Sequence, residues 1–563
     1  MGNNHQKNPL TSAHFVELVR AGLEEWHVPG ISIAVVDGGD VWADGFGYAT
    51  LPSRSGGIPA TADTLYYAGS TTKAFTAAVL GQMIHPGKYK ARFPLGWRTP
   101  IARVIRDDFV LSDEWATAHV TFEDALSHRT GLARHDKALA QCYPDEDAGG
   151  GRHAGTVRDF TRSLRHLPLV QEPRVEFRYC NLMFLAASRA IEAVTGNRWV
   201  GDVMREWIWK PLGMERTFLS VQDAQRAGGL AEGYYWDYSA SGAEGEEKNE
   251  KHGYHYIPPM DLSGGSGAGG IVSSVADYAL WLQCLLRESP PLSRACHNAI
   301  KTPRMVMQIS LDGGSSSETG GRNDGYDGPL TYALGWWTGT YRGHRFYTHG
   351  GGMEAYGTEL YFFPGLGYGV VTMANTAATS NCLGAVLAWQ LIDDRLGVPK
   401  EERFDWTGRY KESIATALRK PDTAMDDYFP HRAQPPLPRA LPTQQYTGTY
   451  YHPAYQNMVI FRNDGGSKEQ RQAATGDSDR DSRPRRELYA AHNNRVWRMD
   501  FELEHVSGEH WLVYIDFTNT PNRLMCQFAK AEFKIASDGR VEGVHVEYLE
   551  DGTEGVIEYK KIE

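Results

Sequence analysis

The segment over residues 30–50 restricts the fold more than any other. Two runs rich in β-branched and aromatic residues, GISIAVV and VWADGFGYA, flank residues 37–40 (DGGD), whose composition is typical of a tight hairpin turn. An amphipathic helix over residues 15–26 precedes them, with Thr11 or Ser12 as its cap. An antiparallel hairpin follows this helix, whereas a doubly wound parallel sheet is made of strand-helix-strand units. The pattern therefore predicts an α+β fold and argues against a doubly wound parallel sheet.

The length and charge of the chain limit its partners. At 563 residues it is long enough for two to four domains of about 100–200 residues each. Its net charge is −11 and it lacks the concentrated basic run that phosphate binding requires, so we expect no nucleic-acid partner. No apolar run approaches the ~20 residues of a membrane-spanning helix, and the N-terminus lacks the apolar stretch of a secretory signal. We therefore predict a cytoplasmic protein with no membrane partner, and the oligomeric state stays open.

The composition of the chain changes where five prolines stand close together: Pro430, Pro435, Pro436, Pro438 and Pro442. They predict a semi-rigid, extended linker over residues 401–442. Beyond them, segments such as RVWRMDFELEHV and HWLVYIDF have the composition of strands. The pattern predicts a small antiparallel barrel or sandwich over residues 443–563, with a polar insertion at 463–485, behind a first domain at residues 1–400.

Ser70-Thr71-Thr72-Lys73 is the pattern that points most directly to chemistry. The surrounding sequence, AGSTTKAFTAAVLGQMI, predicts a buried helix that begins near Ser70. Residues i and i+3 share a face of a helix, so the Lys73 amine lies near the Ser70 hydroxyl. A serine hydroxyl becomes a good nucleophile when a neighbouring base takes its proton, and lysine serves as that base when burial lowers its pKa. For this short motif alone, a helix cap followed by a surface lysine is the alternative interpretation.

Two further motifs follow in a matching order. Tyr179-Cys180-Asn181 stands just before an apolar helix, and the HGGG motif of residues 349–352 lies on a predicted strand. The series Ser-x-x-Lys, Tyr-x-Asn and a basic residue before glycine resembles that of class C β-lactamases, DD-peptidases and related esterases. The segments VPGISIAVV, LSHRTGL and GAGGIVSSVADYALWL resemble other signatures of this family. The resemblance extends over residues 10–397.

The resemblance implies an architecture. It implies a β-lactamase/transpeptidase-like domain, in which helices flank an antiparallel sheet beside a helical lobe, and a site that uses neither a metal nor a cofactor. The C-terminal segment is similar to the lipocalin-like barrel that follows some enzymes of this type. That barrel either stabilises the chain or acts as a lid that shapes the pocket.

The resemblance also implies roles for individual residues. Ser70 attacks a carbonyl and forms an acyl-enzyme, while Lys73 and Tyr179 together move the proton. Tyr179 protonates the leaving group in this interpretation. Asn181 hydrogen-bonds either the substrate or Lys73.

The glycine-rich motif supplies the rest of the predicted site. The backbone N–H groups of Ser70 and Gly352 form the oxyanion hole, with Gly351 as the neighbouring alternative because three glycines stand in a row. His349 matches a position that often recognises a substrate carboxylate, although histidine is only partly charged near neutral pH. A hydrogen-bonded strand histidine is the alternative interpretation. Cys180 is interpreted as a packed small residue and not as a catalytic thiol.

The leading hypothesis is a serine hydrolase or acyltransferase that uses a Ser70 acyl-enzyme on an ester, thioester or amide of a small-molecule acyl substrate. Loops rich in Tyr, Trp and Gly, such as GGLAEGYYWDYSASG, favour an esterase, peptidase or biosynthetic acyltransferase over an antibiotic-degrading enzyme. The alternatives are a non-catalytic penicillin-binding-like protein and a scaffold organised by the barrel. The G-x-G-x-x-G match at residues 265–270 follows YIPPMDLSG and no strand, so we expect no nucleotide cofactor.

Overall fold

The fold is described from a computed structural model of the chain. The structure describes residues 7–85, 88–144, 151–238, 253–262, 264, 266–307, 325–462, 486–492, 494–550 and 552–563. Within these residues, the α-helices have the following bounds: α1 Ala13–Glu25, α2 Pro52–Ser55, α3 Thr72–Ile84, α4 Glu114–His119, α5 Phe122–Leu126, α6 Val157–Ser163, α7 Asn181–Val194, α8 Val200–Met204, α9 Lys210–Leu212, α10 Val221–Ala227, α11 Ser266–Gly269, α12 Val275–Arg287, α13 Arg294–Lys301, α14 Thr379–Leu396 and α15 Trp406–Tyr428.

The strands separate into a large sheet and a barrel, with six short strands paired elsewhere. Before the barrel they are β1 Gly30–Asp37, β2 Asp40–Thr50, β3 Ile58–Pro59, β4 Tyr66–Tyr67, β5 Cys142–Pro144, β6 Arg152–Ala154, β7 Gly233–Trp236, β8 Tyr254–Ile257, β9 Val272–Ser273, β10 Met305–Val306, β11 Thr331–Tyr332, β12 Trp337–Tyr341, β13 His344–Met353, β14 Tyr356–Phe363 and β15 Tyr368–Ala374. In the barrel they are β16 Gly448–His452, β17 Gln456–Arg462, β18 Leu488–His492, β19 Met499–Ser507, β20 His510–Phe517, β21 Gln527–Ile535, β22 Val541–Tyr548 and β23 Val556–Lys561.

The large sheet has nine antiparallel strands in the order β10-β11-β12-β13-β14-β15-β1-β2-β3. The predicted hairpin of β1 and β2 is present, with Asp37 opposite Asp40 at its turn. The Ser12 hydroxyl caps α1 by accepting a hydrogen bond from the Phe15 N–H, at 3.2 Å. The predicted α+β arrangement of an antiparallel sheet flanked by helices is confirmed.

Helices cover both faces of the sheet and give it two cores. On one face, α1 and α14 bury an apolar layer that includes Trp389. On the other face, α12 packs on β1 and β15, and beyond it α3 and α7 pack together in the helical lobe. Helix α3 is buried along almost its whole length, which places any polar residue on it in a dry environment. In the described ranges, no helix is both long enough and apolar enough to cross a membrane.

The C-terminal strands form a closed barrel, which decides between the barrel and the sandwich that the sequence allowed. Each of the eight strands pairs with the next, and β23 pairs back onto β16. Buried aromatic side chains fill the interior, among them Tyr446 and Phe533 with ring centroids 4.9 Å apart. The polar insertion that we predicted at 463–485 lies outside the described residues.

The connection between the sheet and the barrel differs from the expected extended linker. Much of residues 401–442 is helical, because α15 occupies Trp406–Tyr428. The helix begins at a cap in which Asp405 accepts a hydrogen bond from the Gly408 N–H. Trp406 then stacks on Trp389 of α14 at 4.8 Å, which fixes the helix to the sheet. Only the proline-rich part after α15 is extended. The proline spacing revealed that part, but it gave no sign of the helix before it.

Candidate active site

Ser70 lies in a tight turn between β4 and α3. Residues Gly69–Thr71 form a 3₁₀ turn and α3 begins at Thr72, so the helix starts slightly later than the sequence predicts. The Thr72 hydroxyl donates to the Gly69 carbonyl at 2.7 Å, and the Thr71 hydroxyl donates to the Ala68 carbonyl at 2.8 Å. These bonds hold the turn so that the half-buried Ser70 lies at the N-terminal end of a buried helix.

Lys73 is fully buried, and its amine contacts three oxygen atoms that carry no charge. Nζ lies 3.1 Å from the Ser70 hydroxyl, 2.6 Å from Asn181 Oδ1 and 2.8 Å from the Ala268 carbonyl. Burial lowers the pKa of Lys73 well below its ordinary value, and the Arg134 charge adds to this effect while Asp136 opposes it. An amine in this state suits the removal of a proton from Ser70.

Tyr179 is half-buried beside this lysine, with its ring centroid 4.7 Å from Nζ. The ring of His128 packs on it at 4.2 Å, and His128 Nδ1 accepts a hydrogen bond from the Cys180 N–H at 3.0 Å. The LSHRTGL segment therefore holds the Tyr-x-Asn motif in place. Burial raises the pKa of Cys180 to about 12, which agrees with a packed thiol.

Asn181 is oriented by Asp136, a residue that belongs to none of the sequence motifs. Its Nδ2 donates to both oxygens of Asp136, at 2.9 and 3.0 Å, so its Oδ1 points to Lys73. Arg134 Nε donates to Asp136 at 2.7 Å and fixes the carboxylate in turn. These two residues come directly after LSHRTGL, and their nearness to that signature is the only sequence sign of their role.

The glycine motif brings β13 against the nucleophile turn. A Cβ atom on Gly351 would lie 2.0 Å from the Ala68 carbonyl oxygen and 3.1 Å from the Ser70 backbone nitrogen, so no side chain fits there. A Cβ atom on Gly69 would lie 2.8 Å from the Gly352 nitrogen. The backbones of Gly351 and Gly352 thus lie beside that of Ser70, as a two-donor oxyanion hole requires. The choice of donor stays a prediction.

The structure corrects the expected charge of His349. The residue is only 2% exposed, and its Nε2 lies 2.9 Å from the Tyr332 hydroxyl. Its Nδ1 lies 2.6 Å from the Gly350 carbonyl, so this nitrogen donates and Nε2 accepts. Burial, with a contribution from Lys73, lowers the pKa of His349 to about 3. A neutral imidazole carries no charge for a carboxylate, which favours the alternative of a hydrogen-bonded strand histidine. The substrate-binding role of His349 stays a prediction.

Residues 15–391 match the sequence profile of the family described as Beta-lactamase. The chain belongs to the β-lactamase family. An unguisins hydrolase from Aspergillus campestris is 41% identical to it, over 79% of this chain and 77% of the relative. A second unguisins hydrolase, from Aspergillus violaceofuscus, is 38% identical over 81% of this chain and 77% of the relative. These relatives identify the chain as a β-lactamase-family hydrolase.

The fold similarity continues through the barrel. The octameric penicillin-binding protein homologue from Pyrococcus abyssi aligns with 97% of this chain and 99% of its own, at a TM-score of 0.55 and 20% identity. At this identity the likeness concerns the fold alone. It shows that a fold of this kind, over nearly the whole length of the chain, occurs in a second protein.

In this β-lactamase-family hydrolase, the barrel contacts the segment that holds Asp136. Lys137 donates to Glu550 at 2.6 Å, and the His135 N–H donates to Glu554 at 3.2 Å. Both carboxylates lie in the chain around the β22–β23 connection of the barrel. The barrel therefore fixes the chain on either side of Asp136. The sequence gives no sign of these pairs, because their members lie more than 400 residues apart.

A cavity of about 400 Å³ lies where the catalytic domain meets the barrel. The barrel contributes Val496, Arg498 and Asn519 to its wall, and the catalytic domain contributes Phe160 and the loop around Met260. The Met260 carbonyl accepts a hydrogen bond from Tyr67, three residues before the nucleophile. The barrel thus forms part of the wall of a cavity whose loop is hydrogen-bonded to the chain before the nucleophile. The lid role of the barrel stays a prediction.

Proposed function

We propose that this protein hydrolyses its substrate through an acyl-enzyme on Ser70, with Lys73 as the base. The observation that carries the proposal is the environment of Lys73. Its amine is fully buried and 3.1 Å from the Ser70 hydroxyl, and its hydrogen-bond partners are uncharged. Burial therefore favours the neutral amine, which is the form that accepts a proton.

The reaction then follows in two halves. The Ser70 oxygen bonds to the substrate carbonyl carbon and its proton passes to Lys73, while the N–H groups beside the turn bind the negative oxygen. Tyr179 gives its proton to the leaving atom as the carbonyl carbon–leaving-atom bond breaks, and Lys73 returns a proton to Tyr179. Water next attacks the acyl ester and gives one proton to the same groups. They pass this proton to the Ser70 oxygen as its bond to the acyl carbon breaks, so the acid is released and Ser70 is restored.

We also propose that unguisins, or compounds closely similar to them, are the substrates. Two relatives named unguisins hydrolases share 41% and 38% identity with this chain over about four fifths of its length. Identity at this level over both proteins supports a shared substrate class. Hydrolysis is the proposed outcome, and transfer of the acyl group to another acceptor is the competing one.

The test incubates the full chain with a purified unguisin and follows both the product and the protein by mass spectrometry. We expect products whose combined mass exceeds that of the substrate by one water molecule, and a transient acyl adduct on Ser70. Ser70→Ala should abolish both, since loss of such a nucleophile costs several orders of magnitude. A product that carries an added amine would show transfer instead.

A second measurement separates an enzyme from a non-catalytic binding protein. A fluorophosphonate should label Ser70 in the wild-type protein and fail to label the Ser70→Ala variant. If wild-type protein is labelled but leaves unguisins intact, the substrate proposal is wrong and the acyl-enzyme mechanism stands. If neither labelling nor ester turnover occurs, the mechanism is wrong.

A further inference from the structure

We propose that Arg134 is a positioning residue of the active site that acts through Lys73 and Tyr179 by supplying a permanent positive charge beside them. The inference rests on the proposed function, because it concerns the proton transfers of that reaction. Arg134 thus provides a fixed positive charge in the site, whereas His349 is neutral there.

The geometry places Arg134 against the phenol. Its guanidinium carbon lies 5.3 Å from the centroid of the Tyr179 ring, within the ~6 Å range of a cation–π contact. Lys73 lies over the same ring at 4.7 Å. Because Lys73 acts as a neutral amine, Arg134 is the permanently charged group over this ring among the described residues.

Carboxylates from the catalytic domain and from the barrel hold Arg134 in place. Its Nε lies 2.7 Å from Asp136 on its own segment and 3.4 Å from Glu550 of the barrel. The side chain is one quarter exposed, and the two carboxylates are more buried than it is. A planar guanidinium between two fixed carboxylates keeps one position, which an isolated surface arginine would not.

The chemistry needs a charge that does not change during the reaction. Lys73 alternates between amine and ammonium as it takes and returns a proton. Arg134 stays ionised throughout, because its guanidinium does not lose a proton in proteins. Its charge stabilises the negative charge that develops on the Tyr179 oxygen and disfavours the protonated form of Lys73.

Other groups around Lys73 do not replace this charge. The titratable and charged groups that face it are Asp136 and Arg134 after α5, His128 on the same segment, Tyr179 and Cys180 before α7, and His349 on β13. Burial lowers the pKa of both histidines, so they are neutral at neutral pH. The Asp136 carboxylate acts in the opposite direction to Arg134, because it raises the pKa of Lys73.

The test measures kcat/KM for p-nitrophenyl acetate, a small neutral ester, as a function of pH. The acidic limb of this profile reports the loss of a proton from Lys73. For Arg134→Met we expect the limb to move to higher pH by roughly one unit, since the Arg134 charge lowers the pKa of Lys73 and the variant removes that charge. The rate at neutral pH should fall about tenfold, and Arg134→Lys should restore most of the limb position because it keeps the charge.

Arg158→Met is the matched control. Arg158 lies on α6, is half exposed and pairs with Asp108, so this variant loses the same charge away from Tyr179. Its profile should match the wild type. Arg134→Gln replaces Arg134→Met if the latter does not fold, because the amide still donates to Asp136.

The outcomes separate this inference from the proposed function. A lower rate with an unmoved limb in Arg134→Met or Arg134→Gln, or equal damage in Arg134→Lys, would show a structural role only and overturn the inference. Retained ester turnover in Ser70→Ala would overturn the proposed function whatever the Arg134 variants do.

Discussion

Lys73 and Lys137 are both buried, yet their surroundings drive their charges in opposite directions. The Lys73 amine contacts a hydroxyl, an amide oxygen and a backbone carbonyl, and its pKa is well below the ordinary value because of burial. For Lys137 burial also favours the neutral form, but Glu550 and Glu554 outweigh it and raise its pKa. Burial alone therefore does not make a base of a lysine.

The partners decide what each lysine does. Uncharged acceptors orient the Lys73 amine without stabilising its ammonium form, which suits proton transfer. Carboxylates give Lys137 a permanent charge, which suits a structural link between the catalytic domain and the barrel. One chain thus uses the same side chain as a base and as an anchor.

Removal of Lys73 should have the largest effect on turnover. We expect Lys73→Met to lower kcat/KM for p-nitrophenyl acetate by about 10²–10⁴-fold, because the base for Ser70 is lost. The melting temperature should not fall, since a buried amine is replaced by an apolar side chain of similar length. A loss of less than tenfold would contradict the assignment of Lys73 as the base.

Removal of Lys137 should reverse this pattern. Lys137→Met leaves Glu554 buried without its lysine partner and leaves Glu550 with Arg134 alone, which should cost about 3–5 kcal/mol in the free energy of unfolding. Urea titration gives this value, and fluorophosphonate labelling gives the fraction of folded protein with a reactive Ser70. Unchanged stability would mean that the pair is not an anchor.

An exchange of two side chains should make Lys73 resemble Lys137. Asn181→Asp combined with Asp136→Asn keeps the total charge but puts the carboxylate in direct contact with the amine. This should raise the pKa of Lys73, by about 1–3 units for an opposite charge at such distance. Lys73 must be neutral to act, so activity should recover only at higher pH. An acidic limb at its wild-type position would contradict the proposed origin of the low pKa.

The smallest effect concerns His349. Its pKa is about 3 in the folded protein and ~6.5 when unperturbed, so between these values the unfolded chain binds the extra proton. Stability from this residue is therefore present above about pH 6.5 and is lost as the pH falls toward 3. His349→Gln should make the urea midpoint less sensitive to pH in this window. It should also leave the ratio of rates on anionic and neutral esters unchanged across neutral pH.

Short-range patterns predicted the parts of the site that neighbouring residues encode. Ser70 and Lys73 share a helical face, and Tyr179 and Asn181 flank the start of α7, so spacing was sufficient to find them. The hairpin of β1 and β2 follows in the same way from turn residues and alternation. The same patterns predicted the C-terminal antiparallel strands but left open whether they close into a barrel.

Features that depend on contacts between distant segments could not be predicted in this way. Asp136 reaches Asn181 only because α7 packs beside the segment after α5. The lowered pKa of His349 depends on burial and on the nearby Lys73, which a single sequence does not report. Helix α15 was missed because the prolines after it dominated the composition of that region.

The contact of Arg134 with Glu550 has a consequence for the order in which the protein matures. Synthesis runs from the N-terminus, so Ser70 and Lys73 leave the ribosome long before Glu550 and Glu554. Until strand β23 has been made and closes the barrel, Arg134 and Lys137 lack their barrel carboxylates. A nascent or prematurely terminated chain therefore carries the nucleophile without the barrel carboxylates that hold Arg134 and Lys137.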